Sequence, residues 1–275
     1  MKASKAVNQD TKWIFAKKGT CSRTLFYILD REYNNPLEDE EKATDTLAGG
    51  ILQHGYQCGL LLGSVMGAGA EAYNRSGNLQ VAMPLAINAA KKIEEDFVSC
   101  AGSPDCNDIT EIDFTRGKQM AKFVFSGKFY SCFKLADRWA AKAIDSVEKG
   151  LKKEKSNHYG RYTSCASIVV KKMGGNEREQ AIVAGLAGGV GLSGNACGAL
   201  SAAIWYKTLL KLRKGAKNDI QNPEGQKIME AFLEETDYEF ICEKIIGKKL
   251  TNAEKFASYI NEGTCKKLID VLSKS

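Results

Sequence analysis

Apolar residues recur along this chain every three or four positions, the period of an amphipathic helix and not of a strand. Leu25, Ile28 and Leu29 mark one face over 22–33. Val81, Leu85, Ala89, Ile93 and Phe97 fall four apart and predict a long helix over 79–100. Ala136, Trp139, Ala140, Ala143, Ile144 and Val147 predict another over 132–149. A stretch over 38–53 opens acidic and closes near Gly49-Gly50, and one over 58–74 is small and apolar. The same order returns in the second half. Alternating patterns are nearly absent, and only four prolines interrupt the chain. The expected fold is all-α.

The order returns because the sequence repeats. Residues 47–59 read LAGGILQHGYQCG and residues 186–198 read LAGGVGLSGNACG. Cys58 thus matches Cys197. Cys21 matches Cys165, Cys106 matches Cys242, and Cys132 matches Cys265. The offset between copies shrinks steadily from 144 to 133 residues, as a few lost loop residues would make it. Eight of the nine cysteines are placed by this duplication; Cys100 has no counterpart. The reading is two tandem helical-bundle repeats, 1–150 (with an N-terminal extension, 1–18) and 151–275, packed as a pseudo-dimer. The polar stretch from Gly150 to Gly160 is the expected linker.

With 275 residues, either half can bury a core of its own. A hydrophobic share of 44% and a charged share of 26% are ordinary for a globular protein. The net charge of +6 is too diffuse to argue for nucleic acid, since no arginine-rich face interleaved with aromatics occurs. It suits an acidic partner protein better. Residues 181–206 carry no charge but are glycine-rich, which predicts two buried helices joined by a glycine turn and no membrane span. The stretch MKASKAVNQDTKWIFAKKGT holds no apolar run long enough for a signal peptide, so the expected compartment is the cytoplasm. There, clustered cysteines read as metal-binding or redox-active and not as structural staples. Four disulfides are the alternative if the chain is exported.

Packing alone would let thiols drift to Ala, Ser or Val, so their retention in both copies points to thiol chemistry. Most of the eight lie near expected helix starts, where unpaired N–H groups and the dipole favour a thiolate. A thiolate is both a redox nucleophile and a soft-metal ligand. Four helix starts converging on one point also suit an anionic iron–sulfur centre, whose sulfurs accept backbone N–H bonds. Gly55, Gly59, Gly194 and Gly198 would let backbone come close to such a centre. The plain alternative is that small cysteines fill helix crossings. A zinc site is less well matched, because no Cys-x-x-Cys pair occurs. Gly189-Val-Gly-Leu-Ser-Gly194 spells a dinucleotide fingerprint but lacks the preceding strand. His54 and His158 are not equivalently placed.

A first Cys, then Cys-Gly-x-x-x-Gly, then two further cysteines resembles the redox-active family named for its C-GCAxxG-C-C motif. Cys58-Gly-Leu-Leu-Leu-Gly63 carries the central element; Cys197-Gly-Ala-Leu-Ser-Ala202 carries its start, with Ala for the last Gly. Gln57 or Ala196 precedes the central Cys, and Gly follows it. The resemblance runs nearly the whole chain, twice over. It implies a helical domain with redox-active cysteines: Cys21, Cys58, Cys106 and Cys132 in one set, Cys165, Cys197, Cys242 and Cys265 in the other. The expected function is iron–sulfur binding ([2Fe–2S] or [4Fe–4S]) with electron transfer to a redox partner protein. A metal-free thiol–disulfide oxidoreductase and a helical interaction protein with inert cysteines are the alternatives.

Overall fold

Helix follows helix in the computed structural model, which describes residues 5–116, 119–152, 162–217, 219–220 and 222–275. Most of the expected linker, with His158, lies outside the described residues. A leading helix, α1 (Lys5–Lys18), precedes the repeats. The first half then runs α2 (Cys21–Glu32), α3 (Glu38–Ala43), α4 (Gly59–Ser76), α5 (Leu79–Ala101), α6 (Cys106–Thr110), α7 (Gln119–Phe125) and α8 (Lys128–Gly150). The second half repeats the order as α9 (Cys165–Lys172), α10 (Glu177–Ala184), α11 (Gly198–Arg213), α12 (Pro223–Glu235), α13 (Cys242–Ile245), α14 (Ala253–Asn261) and α15 (Lys266–Lys274). Among the described residues there is no strand; two isolated bridges, Gln57 with Asp105 and Ala196 with Ile241, fall at matching places.

Local sequence sets the helix ends. Asn78 caps α5 by accepting from the Gln80 and Val81 amides, and Gly102, left-handed at φ 88, ends it. Asn176 and Glu179 form a capping box at the start of α10. Asn222 caps α12 ahead of Pro223, a residue suited to the first helical position.

The helix expected over 38–53 stops at Ala43, and a 3-10 turn, Thr44–Leu47, follows it. Hydroxyls compete here for the backbone. Thr44 Oγ1 donates to the Glu41 carbonyl at 2.6 Å, Thr46 Oγ1 to Ala43 at 3.0 Å, and Ser22 Oγ to Thr44 at 2.7 Å. The helix expected to open at Cys132 begins earlier, at Lys128, because Gly127 supplies its left-handed entry at φ 75. Residues 181–206 form the expected buried pair, the end of α10 and the start of α11 with a glycine turn between. No helix among the described residues is long and apolar enough to cross a membrane.

The two halves share one apolar core. Their contact is reciprocal: α10 lies on α4, while the matching pair, α3 and α11, also touch. Trp205 on α11 donates to the Glu40 carbonyl at 3.1 Å, and Arg213 binds Glu40 at 2.9 Å and the buried Glu179 at 2.5 Å. Within the first half, Trp139 is wholly buried and donates to Ser64 Oγ at 2.9 Å. The core therefore holds α4 and α11 rigidly, and those helices carry the central cysteine of each copy.

Candidate functional site

Each copy builds its site around a left-handed turn. Gly49, Gly50, Ile51, Leu52 and Gln53 have φ of 69, 79, 62, 48 and 64. Gly188, Gly189, Val190, Gly191 and Leu192 repeat this with φ of 60, 79, 71, 58 and 63. Left-handed backbone costs an L-residue roughly 1–2 kcal/mol, most of all when it is β-branched like Ile51 and Val190. Three such residues in the first run (Ile51, Leu52, Gln53) and two in the second (Val190, Leu192) persist only where the surroundings impose them. The turn is closed by the Gly55 amide on the Gly49 carbonyl at 2.9 Å, and in the second copy by Gly194 on Gly188 at 2.9 Å.

Beyond the turn, two extended segments pair and align two cysteines. The Cys58 amide donates to the Pro104 carbonyl at 2.7 Å, and the Cys106 amide to the Tyr56 carbonyl at 2.7 Å. Cys197 bonds Phe240 at 2.9 Å and Cys242 bonds Asn195 at 2.8 Å, which is the same pairing at matching positions. Cys21, Cys106, Cys165 and Cys242 are the first residues of α2, α6, α9 and α13. Cys58, Cys197 and Cys265 are the N-caps of α4, α11 and α15. Cys132 departs from the expected helix start: it sits a full turn inside α8.

Both sets of four come together. In the first, the charge of Cys21 acts on Cys58, Cys106 and Cys132, and Cys58 also feels Cys106 and Cys132. In the second, Cys165, Cys197, Cys242 and Cys265 line one cavity of ≈ 20 Å³, walled by Ile245, Ile246, Phe256, Ile260, Leu268 and Ile269. Amides aim at the leading sulfur of each set. Gly49 and Ser22 N–H donate to the Cys21 sulfur, and Gly188 and Ala166 N–H donate to that of Cys165. The Leu200 and Ala199 amides, free at the start of α11, serve Cys197.

The sulfurs differ in their readiness to ionise. The Cys58 thiol donates to the Cys21 sulfur, which with the amides lowers Cys21 below an ordinary thiol and raises Cys58 well above it. Burial pushes Cys132, Cys197 and Cys265 up to about 12, and raises Cys106, Cys165 and Cys242 too. A raised thiol keeps its proton in the fold but releases it in the unfolded chain above about pH 8.5, so stability falls as pH rises through that range. Cys21 acts oppositely, losing its contribution as pH falls through its folded value. Seven of the eight point the same way, so the metal-free protein should lose stability as pH rises above about 8.5. Thermal melts across that range check it. Cys197→Ala should flatten the slope, and a flat profile in the parent chain would contradict the assigned burial.

The glycines expected to serve a cofactor divide. A Cβ on Gly59 would lie 2.5 Å from the Cys21 sulfur, so Gly59 faces the site. Gly198 faces the Leu186 carbonyl. Gly55 and Gly194 face the side chains of Asn107 and Glu243, and their amides close the turn. His54 lies against Phe240, ring centres 5.8 Å apart, and burial lowers its pKa. Cys100 sits on α5 with the Lys142 ammonium 3.8 Å away. Sequence reasoning expected the glycine turn of the second copy but carried the first copy's helix through Gln53, and in neither copy did it give the left-handed run of successive residues. It also missed Gln57, whose Nε2 donates to the Ala196 carbonyl at 2.9 Å, joining the residues that precede Cys58 and Cys197. Among the described residues, no group of three or more His, Cys, Asp or Glu side chains is arranged to hold a metal ion as it stands.

The family described as "Putative redox-active protein (C_GCAxxG_C_C)" matches residues 20–171 and again residues 162–274. The two matches follow the duplication read from the cysteines, and they give the chain a redox role. Neither a curated protein nor a solved structure matches it.

Proposed function

Because the chain belongs to the C_GCAxxG_C_C family of redox-active proteins, we propose that each half holds an iron–sulfur cluster and that the protein passes electrons to a partner protein. One observation carries this: each copy gathers four cysteines from four separate chain segments, in the same way twice. A dithiol needs only two. The donor chemistry fits the group, with four thiols and amides aimed at sulfur in each half, and in the second half an apolar wall that keeps water away. Cys21, Cys58, Cys106 and Cys132 would be the ligands in one half, and Cys165, Cys197, Cys242 and Cys265 in the other. Bound there, a cluster would take up and release single electrons. The Gly49 and Gly188 amides would then continue to donate to the leading sulfurs, stabilising the negative charge. Gly59 would keep α4 close to Cys21. We take 1–150 and 151–275 as the two units and their reciprocal contact as the pseudo-dimer of a duplicated domain.

The hydrogen bond between Cys58 and Cys21 favours a second reading for the first half. A lowered thiol beside a proton-holding thiol is poised to become a disulfide, releasing two electrons and two protons to an acceptor. Anaerobic purification with iron and acid-labile sulfide analysis, beside an electron-spin-resonance spectrum of the reduced protein, decides between them. Iron and sulfide with a reduced-state signal are expected. A colourless protein whose free thiols fall by two on oxidation would overturn the cluster and establish the dithiol.

A further inference from the structure

The two sites differ in what surrounds their open corner. Cys132 and Cys265 are both half-buried, as is Cys21 in the first set, whereas Cys58, Cys106, Cys165, Cys197 and Cys242 are buried. Around Cys132 five rings run in a row. Phe114 meets Phe123 with centres 5.1 Å apart, Phe123 meets Phe129 at 5.7 Å, Phe129 meets Phe133 at 4.8 Å, and Phe133 stacks on Phe15 at 4.3 Å. Phe129 precedes Cys132 by three positions on α8, so the two share a face. The row surfaces there at Phe129, which is 43% exposed; Phe125 (89%) at the end of α7 and Tyr130 (56%) on the adjoining side of α8 are exposed close by in sequence. Three exposed rings within six residues of chain are more than scattered surface apolarity, and they mark a contact surface.

Charge says what kind of contact. The segment Gln119–Lys134 holds Lys122, Lys128 and Lys134 and no acidic residue of its own; Lys128 is ion-paired with the exposed Glu111 just before it, which leaves the face a net excess of lysine. The Lys134 ammonium lies 4.7 Å above the Tyr130 ring, and Lys12 on α1 is paired with Asp137 at 3.0 Å. The second copy lacks the feature. Ser258, Glu262, Gly263 and Lys266 stand where Phe125, Phe129, Tyr130 and Phe133 stand in the first, and Glu254 adds a further acid. The fold therefore does not require this face, and only one of two equivalent sites has it.

We propose that the aromatic face beside Cys132 docks a small acidic electron-carrier protein, making the first half the port through which the chain exchanges electrons. This rests on the redox reading above. Aromatic anchors supply affinity, and the lysines steer an acidic partner and fix its register, so the complex is weak and salt-sensitive. The test titrates the full chain with a plant-type [2Fe–2S] ferredoxin, a strongly acidic probe, by calorimetry at 20 and 200 mM salt. Micromolar binding at low salt is expected, weakening more than tenfold at high salt. Lys122→Glu with Lys128→Glu and Lys134→Glu should weaken it a further tenfold or more. Phe125→Ser with Tyr130→Ser should lower affinity and keep the salt dependence. The matching reversal in the second half, Lys255→Glu with Lys266→Glu and Lys267→Glu, should change it less than twofold. No binding, or equal loss in both triple variants, overturns the proposal. So does lysine-dependent binding of phosphatidylserine vesicles in place of the ferredoxin, or self-association of the chain through Phe125 and Tyr130. Dithionite reduction of the wild-type chain separates the two readings: no reducible centre there defeats the cluster, while the calorimetry still decides the docking face.

Discussion

Cys58→Ser should halve the iron content of the anaerobically purified protein, and Cys58→Ser with Cys197→Ser should abolish it. Cys58 is buried at 6% exposure, and its amide is held by Pro104. Serine is close in size and keeps that backbone bond, so helicity should survive. A hydroxyl, however, does not ionise at any working pH and does not replace a soft thiolate on iron. Cys100→Ser is the matched control. Cys100 is the thiol without a counterpart in the second copy, and its neighbour is the Lys142 ammonium. Its loss should leave iron, sulfide and spectrum unchanged. Full iron in Cys58→Ser, or equal loss in Cys100→Ser, would refute the division of the cysteines into two sets of four. The single variants also report on independence. If Cys58→Ser removed all the iron, the two halves would share one centre.

How far the sequence could be read follows from which forces act locally. The amphipathic period of α5 and α8 reports a buried face directly, because Ile93, Phe97, Trp139 and Ile144 reach the core by helical spacing alone. The pairing of Cys21 with Cys165, and so on, is legible because a duplication writes the same constraint twice. The left-handed turn was hidden. In the first copy its residues Ile51 and Leu52 are apolar and continue the helical pattern, so periodicity extends the helix through them. What reverses the backbone is tertiary: Ser22 and Thr44 divert carbonyls, and the paired segments before Cys58 and Cys106 pull the chain round. The position of Cys132 was hidden for a similar reason. Gly127 starts α8 a turn earlier than the apolar stripe announces, so this cysteine reaches its set from a helix flank.

Gly50→Ala and Gly189→Ala should be among the most damaging single-methyl additions to this protein. Both glycines have φ of 79, and a Cβ on either would fall on backbone, that of Tyr56 or of Asn195. The left-handed conformation alone costs alanine roughly 1–2 kcal/mol. Displacing packed backbone adds about 1–3 kcal/mol more. The sum, about 2–5 kcal/mol, corresponds to a melting point lower by roughly 5–15 °C for a chain of this size. Gly77→Ala isolates the first contribution, because Gly77 is also left-handed, at φ 63, but has open space around it. It should cost no more than about 1–2 kcal/mol. The site supplies a second readout. Gly50 follows Gly49, whose amide donates to the Cys21 sulfur. Pushing Tyr56 away moves that amide and the extended segment that leads into Cys58. The lowered ionisation of Cys21 should then rise toward an ordinary thiol, seen as slower alkylation of Cys21 near neutral pH in the metal-free chain. Gly77→Ala should leave that rate alone. If Gly50→Ala proves as mild as Gly77→Ala, or destabilises the fold without touching Cys21, then the turn is only a connection. It would then have no part in setting the chemistry of the cysteine beside it.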